Sequence, residues 1–293
     1  MILTECPRDA MQGIQKFIPT EIKTEYLNTL LRVGFDVLDF GSFVSPKAVP
    51  QMSDTAQVLR GLDINRVKTK LLAIIANVRG AEEAASFEEI TYLGYPFSVS
   101  ETFQQRNTNS GIEQSLQTVE KIQEICVKNS KKLLIYISMA FGNPYGDQWS
   151  PGVVSRWTGE MANLGVKYIA LADTVGVSTP ENIKPLFREL TKKHPGIEFG
   201  AHLHSHPAKW YEKIESAWEG GCRKFDTALR GFGGCPMAKD DLVGNIATEN
   251  VLNFVKEKNM EYPVDSISYK KALELSDKIF YNNFEANKFG EAS

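Results

Sequence analysis

The chain has 293 residues, yet only four histidines and four cysteines, and no long apolar run. Nothing in it approaches the ~20 consecutive apolar residues of a bilayer-spanning helix. The start, "MILTECPRDA", has a few apolar residues and no basic segment before them, so it does not read as a signal peptide. Cys6, Cys126, Cys222 and Cys235 form no C-x-x-C pair, and their spacing suits neither a zinc cluster nor a disulfide framework. These absences predict a soluble, cytoplasmic protein with reduced thiols and no membrane partner. Charge of one sign is missing too: 33 Lys and Arg face 36 Asp and Glu, a net charge of −3. That balance argues against a nucleic-acid partner. No Pro/Ser-rich linker, low-complexity segment or short repeat divides the chain, which reads as a single domain over 1–293.

What is present is a strict alternation. Short β-rich runs fall at 2–6, 35–40, 70–77, 87–94, 132–139, 167–173, 197–204 and 224–229, with amphipathic runs between them. Ile22, Tyr26, Leu27, Leu30 and Leu31 make one apolar helix face; Leu116, Val119, Ile122 and Cys126 make another. Eight strand–helix units in order imply parallel strands with crossover helices. Over about 250 residues they imply an α/β fold, a closed (β/α)8 TIM barrel. The barrel is expected over about 1–258, with a C-terminal helical extension over about 265–285.

Active sites of such barrels lie at the C-terminal strand ends. Arg8 and Asp9 follow the first predicted strand and Asn77 ends the third. Asp39 and Asp173 end the second and sixth, His202 and His204 the seventh, and Cys235 and Asn245 follow the eighth. The opposite ends carry ordinary turn residues. Reactive groups thus gather on one rim, which points to an enzyme.

"GAHLHSH" (200–206) holds three of the four histidines. His202 and His204 stand two apart on a strand and share a face. Two imidazoles, a carboxylate such as Asp9 and the Asn245 amide oxygen would hold a divalent cation; a hydrogen-bonded pair at a strand end is the plainer alternative. Without thiolates, that donor set suits Mg2+, Mn2+ or Co2+ at least as well as Zn2+. His206 reads as a loop residue, and His194 as a cation at a helix C-terminus. The loop 231–244 lacks the G-K-[ST] of a P-loop and the dinucleotide fingerprint. Its glycines would permit a mobile lid, with Cys235 either an acid–base group or an incidental residue. Cys6, Cys126 and Cys222 read as small buried hydrophobes.

"ECPRDAMQ", "GSFVSPKAVPQMSD", "LADTVGVSTP", "AHLHSH" and "GFGGCPMA…GNIATE" together resemble hydroxymethylglutaryl-CoA lyase, in order along nearly the whole chain. This family belongs to the metal-dependent barrel lyases and Claisen-type condensing enzymes. The resemblance implies cleavage of 3-hydroxy-3-methylglutaryl-CoA to acetoacetate and acetyl-CoA, a step in leucine degradation, by a homodimer. It implies Asp9, His202, His204 and Asn245 as ligands of Mg2+ or Mn2+, and Arg8, Asp39 and Cys235 as catalytic. Arg8 would hold the thioester oxygen and the departing enolate, and Cys235 would move a proton. Arg8, Gln12, Ser42 and Asp173 would contact the acyl-CoA substrate. Several residues depart from the family pattern. Asp39 stands for Glu, Ser205 for Asp and Ala170 for Ser; "PRDA" stands for "PRDG". The Cys235–Asn245 segment is one residue longer and carries Asp240 and Asp241. A condensing enzyme of the isopropylmalate or homocitrate synthase kind is the alternative, as is a lyase for a related 3-hydroxyacyl-CoA. Only about 50 residues follow the lid here, where condensing relatives carry long extensions.

Overall fold

The computed structural model describes residues 1–65, 67–234 and 243–288, with side chains as far as residue 281. Its first half runs β1 (Ile2–Glu5), α1 (Pro7–Gln12), α2 (Thr20–Val33), β2 (Val37–Ser42), α3 (Thr55–Arg60), β3 (Lys70–Ile74), α4 (Val78–Ala85) and β4 (Ile90–Ser98). Next come α5 (Glu101–Thr108), α6 (Ile112–Lys128), β5 (Lys132–Ser138), α7 (Pro151–Asn163), β6 (Tyr168–Asp173) and α8 (Pro180–Lys193). The rest is β7 (Glu198–Ser205), α9 (Trp210–Glu219), β8 (Lys224–Thr227), β9 (Gly244–Asn245), α10 (Thr248–Glu257) and α11 (Ser266–Lys288). Strands β1 to β8 pair in parallel with their neighbours, and β1 pairs with β8 to close the sheet. This is the (β/α)8 barrel expected from the alternation.

Strand parity sorts the residues into two layers. Side chains facing the helices form the larger apolar core, into which Leu27, Leu30, Val119, Ile122, Phe187 and Phe254 pack from the helices. Val37, Leu72, Tyr92, Leu134, Tyr136 and Ala170 face inward and fill the lumen. At its lower end Lys224 lies 5.0 Å from the Tyr92 ring centre, and Lys132 lies 5.2 Å from that of Tyr168. Cations over aromatic faces thus close the floor. Among the described residues no helix is long and apolar enough to cross a membrane.

Three expectations need correction. The fourth strand runs over Ile90–Ser98 rather than 87–94, because Gly94 and Pro96 do not end it. Gly94 is needed in the lumen, where a Cβ would stand 2.6 Å from Ile74 Cδ1. Ile22 is 43% exposed. The inward face of α2 starts instead at buried Lys23, paired to Asp54 at 2.7 Å. His194 caps α8, but burial and the neighbouring Lys193 lower its pKa, which works against the expected cation.

Glu5 is fully buried on the outer face of β1. It accepts hydrogen bonds from Leu229 N at 2.7 Å and Thr248 Oγ1 at 2.5 Å, and so ties down both roots of the loop between β8 and α10. Burial pushes its carboxyl from 4.5 up to about 8. Between those values the folded chain keeps a proton that the unfolded chain has lost, so this group's contribution to stability falls as pH rises through that window. Between about pH 5 and about pH 8 the wild-type Tm should therefore fall further than that of Glu5→Gln. Parallel slopes in thermal melts of the two proteins would refute this.

Candidate metal centre and active site

The rim above the lumen is assembled by short-range geometry. Helix α1 starts on Pro7, a residue suited to the first helical turn. Arg8 and Asp9 therefore sit one turn above the end of β1, and both are 8% exposed. Asp39 is not at the strand end, as expected, but within β2, which runs on to Ser42. A register irregularity between Asp39 and Gly41 bends β2 there, the kind of bulge that re-aims a side chain. Asp39 registers with Leu72 and shares its lumen-facing side.

Arg8 grips Asp39 in a forked pair. Nε lies 3.2 and 3.0 Å from the two carboxylate oxygens, and Nη2 lies 2.6 Å from Oδ2. Nη1 donates to Asp9 Oδ1 at 3.2 Å and to Gln12 Oε1 at 2.9 Å. Gln12 Nε2 returns a bond to Asp9 Oδ1 at 2.8 Å. Asn245 reaches Asp9 because β9 pairs antiparallel with β7, setting Asn245 opposite His204. Its Nδ2 donates to Asp9 Oδ2 at 2.7 Å.

The two strand-7 histidines are neighbours, with ring centres 5.2 Å apart. His204 Nδ1 meets Thr174 O at 3.2 Å, and His202 Nδ1 meets Asp226 Oδ2 at 3.2 Å. Each contact orients its ring and leaves Nε2 as the free end. His204 Nε2 is buried and has no hydrogen-bond partner among the described residues. One potential ligand atom from each of Asp9, His202 and His204 falls within a 4.8 Å cluster. A buried, unpaired ring nitrogen beside an anionic carboxylate fits a divalent cation; a hydrogen-bonded histidine pair alone would leave that nitrogen unexplained.

Electrostatics agree. Burial alone would raise Asp9, but Arg8, His202 and His204 outweigh it and hold the carboxyl at about 2. Burial pushes Asp39 up to about 6 despite Arg8. Burial and His202 hold His204 down at about 4, so it offers a neutral imidazole. For His202 burial lowers the pKa, but Asp226 overcomes it and the net shift is upward.

Of the other expected residues, Ser42 registers with the lumen residue Ile74, and its Oγ is buried without a partner. Asp173 differs from expectation. It stands one residue from Ala172, which registers with His202, so parity turns it toward the helices. There its carboxylate takes Lys213 Nζ at 2.8 Å and Ser178 N at 3.1 Å. It braces the wall and does not join the Arg8–Asp9 group. His206 follows the strand end, as expected, and Ala208 N donates to its Nδ1 at 3.1 Å. Cys235, Asp240 and Asp241 lie outside the described residues. At the loop's root Gly233 has φ +91°, and a Cβ there would stand 2.7 Å from Asn245 Nδ2. Glycine is needed for close passage over the site, not only for mobility.

Sequence reasoning missed Asp226, Lys213 and Tyr136. Asp226 had a signal: a lone acid within a strand, at the parity that faces the lumen. Lys213 Nζ also bonds His204 O at 2.7 Å and Gly176 O at 3.1 Å. Tyr136 sets its ring edge-on to His202, centres 5.6 Å apart.

The HMGL-like family model matches residues 1–276. The cytoplasmic 3-hydroxy-3-methylglutaryl-CoA lyase of Rattus norvegicus is 32% identical over 275 residues, covering 93% of this chain and 78% of the relative. The mitochondrial hydroxymethylglutaryl-CoA lyase of Mus musculus is 31% identical, covering 93% and 82%. An HMG-CoA lyase structure from Acinetobacter baumannii, in complex with coenzyme A and 3-methylmalate, superposes with a TM-score of 0.85. It is 27% identical, and the match covers 100% of this chain and 96% of that one.

If Asp226 orients His202 as a ligand, Asp226→Ala should weaken Mn2+ binding by about 10–100-fold while the far-UV spectrum stays normal. Calorimetric titration checks this, and an unchanged affinity would remove Asp226 from the site.

Proposed function

The chain belongs to the HMGL-like family, and from that premise we infer that it is a carbon–carbon lyase that splits 3-hydroxy-3-methylglutaryl-CoA into acetoacetate and acetyl-CoA. The observation that carries the reading is the unpaired His204 Nε2, clustered with Asp9 and His202 beside the Arg8–Asp39 fork. Asp9, His202, His204 and the Asn245 amide oxygen would hold Mg2+ or Mn2+; Co2+ and Zn2+ also suit the donors. When bound, that ion supplies Lewis acidity to the tertiary hydroxyl of the substrate and countercharge to its carboxylate end.

The chain's own residues supply the rest. Arg8 has five N–H groups. Asp39 takes one from Nε and one from Nη2, and Asp9 and Gln12 take those of Nη1. One Nη2 N–H is left for the thioester oxygen, where charge builds as the enolate departs. Asp39 holds the guanidinium plane fixed. With its carboxyl near 6, it also sits close enough to neutrality to accept and return a proton. Burial excludes water from this layer and strengthens each contact. Cys235 is assigned the final protonation of the acetyl carbon, on the family resemblance. Ser42 Oγ and Gln12 are assigned contacts to the acyl group, the former supported by its unpaired hydroxyl. Asp173 is left out of the substrate contacts.

The reading includes a cytoplasmic location, supported by three free buried thiols at Cys6, Cys126 and Cys222, which suit a reducing compartment. The family supports a homodimer and a role in leucine degradation.

Incubation with hydroxymethylglutaryl-CoA and Mg2+ or Mn2+ should yield equal amounts of acetoacetate and acetyl-CoA, and EDTA should abolish both. Condensation of acetyl-CoA with a 2-oxo acid, without acetoacetate release, would overturn the reading in favour of a synthase. Arg8→Gln should lower kcat by about 10²–10³-fold with metal content unchanged. Asp39→Glu restores the family residue and should keep activity; its loss would mean that the fork requires the shorter acid.

A further inference from the structure

Beneath the rim lies a second group of donors, which shares His202 with the upper site and adds a thiol that the lyase chemistry does not use. Cys6 ends the β1 segment and caps α1, and its backbone N is held by Thr227 O at 2.8 Å. Its thiol is 1% exposed. One ring nitrogen of His202, one oxygen of Asp226 and the Cys6 sulfur all lie within 4.8 Å of one another. Thr4 registers with Asp226 across the β1–β8 pair, so their side chains share a face. Both carry buried oxygens without partners: Thr4 Oγ1 and Asp226 Oδ1. Two buried oxygens without partners among the described residues thus accompany a thiol and an imidazole, a set of donors that can serve a cation.

We propose that Cys6, Asp226 and the Nδ1 side of His202 form a second cation site, one layer below the Asp9–His202–His204 centre, selective for a thiophilic divalent ion such as Zn2+ or Cd2+. The donor set decides the class of ion. The upper group offers nitrogen and oxygen only, which hard ions accept; the lower adds a sulfur, which Mg2+ and Mn2+ do not favour. Four-coordinate zinc bonds of about 2.0–2.3 Å place neighbouring donors roughly 3.5 Å apart, so small side-chain shifts close this cluster. Thr4 Oγ1, on the face that Thr4 shares with Asp226, offers a neutral fourth donor. On binding, a metal–sulfur bond forms and the thiol proton leaves to solvent; nothing is oxidised or reduced.

The two sites share one imidazole. An ion below takes the Nδ1 position that otherwise contacts Asp226 and removes the bond that aims His202 upward. A thiophilic ion therefore opposes the hard ion above. This consequence rests on the upper site being a metal centre; the lower site does not.

The test uses chelator-stripped full-length protein with Cys235→Ser, which removes the loop thiol. Cys126 and Cys222 belong to no such donor cluster among the described residues. Titration with Cd2+ should raise one thiolate-to-cadmium charge-transfer band, saturating at one ion per chain. Adding Cys6→Ser should abolish it. Cadmium NMR of the Cys235→Ser protein should show a resonance in the range of single-sulfur ligation, and decides the matter without a Cys6 variant should that one fail to fold. No band at one equivalent, a band indifferent to Cys6→Ser, or only a nitrogen–oxygen resonance would overturn the proposal. None of these readouts uses lyase turnover, so a negative product assay would leave the lower site standing.

Discussion

Among the described residues, the mouth of this barrel gathers three buried carboxyl groups around one guanidinium. Asp9, Asp39 and Asp226 are all less than a tenth exposed, and Arg8 is the guanidinium among them. Buried charge is expensive unless paired and hydrogen-bonded. The local architecture distributes that burden. The fork on Asp39 fixes Arg8, Arg8 holds Asp9 anionic, and Asp226 draws its neighbouring histidine toward the charged form. What remains is an anionic carboxylate near a neutral imidazole whose Nε2 has no partner among the described residues, a donor set that suits a divalent ion.

The outer layer is organised to keep that inner geometry in place. His204 is aimed by Thr174 O, and Thr174 is aimed in turn by its Oγ1, which accepts from Met139 N at 3.0 Å. Lys213 pulls together Asp173, the Gly176 carbonyl and the His204 carbonyl. A buried ammonium with three acceptors is well satisfied. It crosslinks the ends of β6 and β7 behind His202 and His204, much as Glu5 crosslinks the roots of the β8–α10 loop.

Much of this was legible beforehand, for reasons that differ by residue. The barrel followed from eight alternating runs, because buried parallel strands and their crossover helices impose distinct apolar periods. His202 and His204 were paired by strand parity, which is local. The sequence puts Asp39 on the right strand but at the wrong place in it, since β2 runs on past an irregularity at Gly41, where a Cβ would stand 2.6 Å from Thr55 Cγ2, a contact that the run of residues does not show. Asp173 was misjudged because position near a strand end says nothing of which face is presented; counting parity from His202 and Ala172 would have turned it outward. Lys213 was invisible: a lysine on an amphipathic helix reads as surface until its acceptors, which lie on other strands, are known. Asp226 is intermediate, since its parity was readable but its partner lay on another strand.

The departures from the family pattern can now be ranked by where they fall. Ser205 follows His204 and so faces away from the lumen, with its Oγ on His206 O at 2.9 Å. An acid missing there changes the support of the strand end and not the ligand set. Ala170 is different. It registers with Tyr136 and Gly200 and belongs to the apolar lumen layer one step below His202. A hydroxyl lost at that point makes the floor of the site less polar. Asp39 lies in the same inward layer and shortens the reach of the carboxylate that grips Arg8. Both changes fall on the lumen side of the barrel. Among the departures that fall on described residues, those at 39 and 170 are turned toward the lumen and the one at 205 is turned away from it.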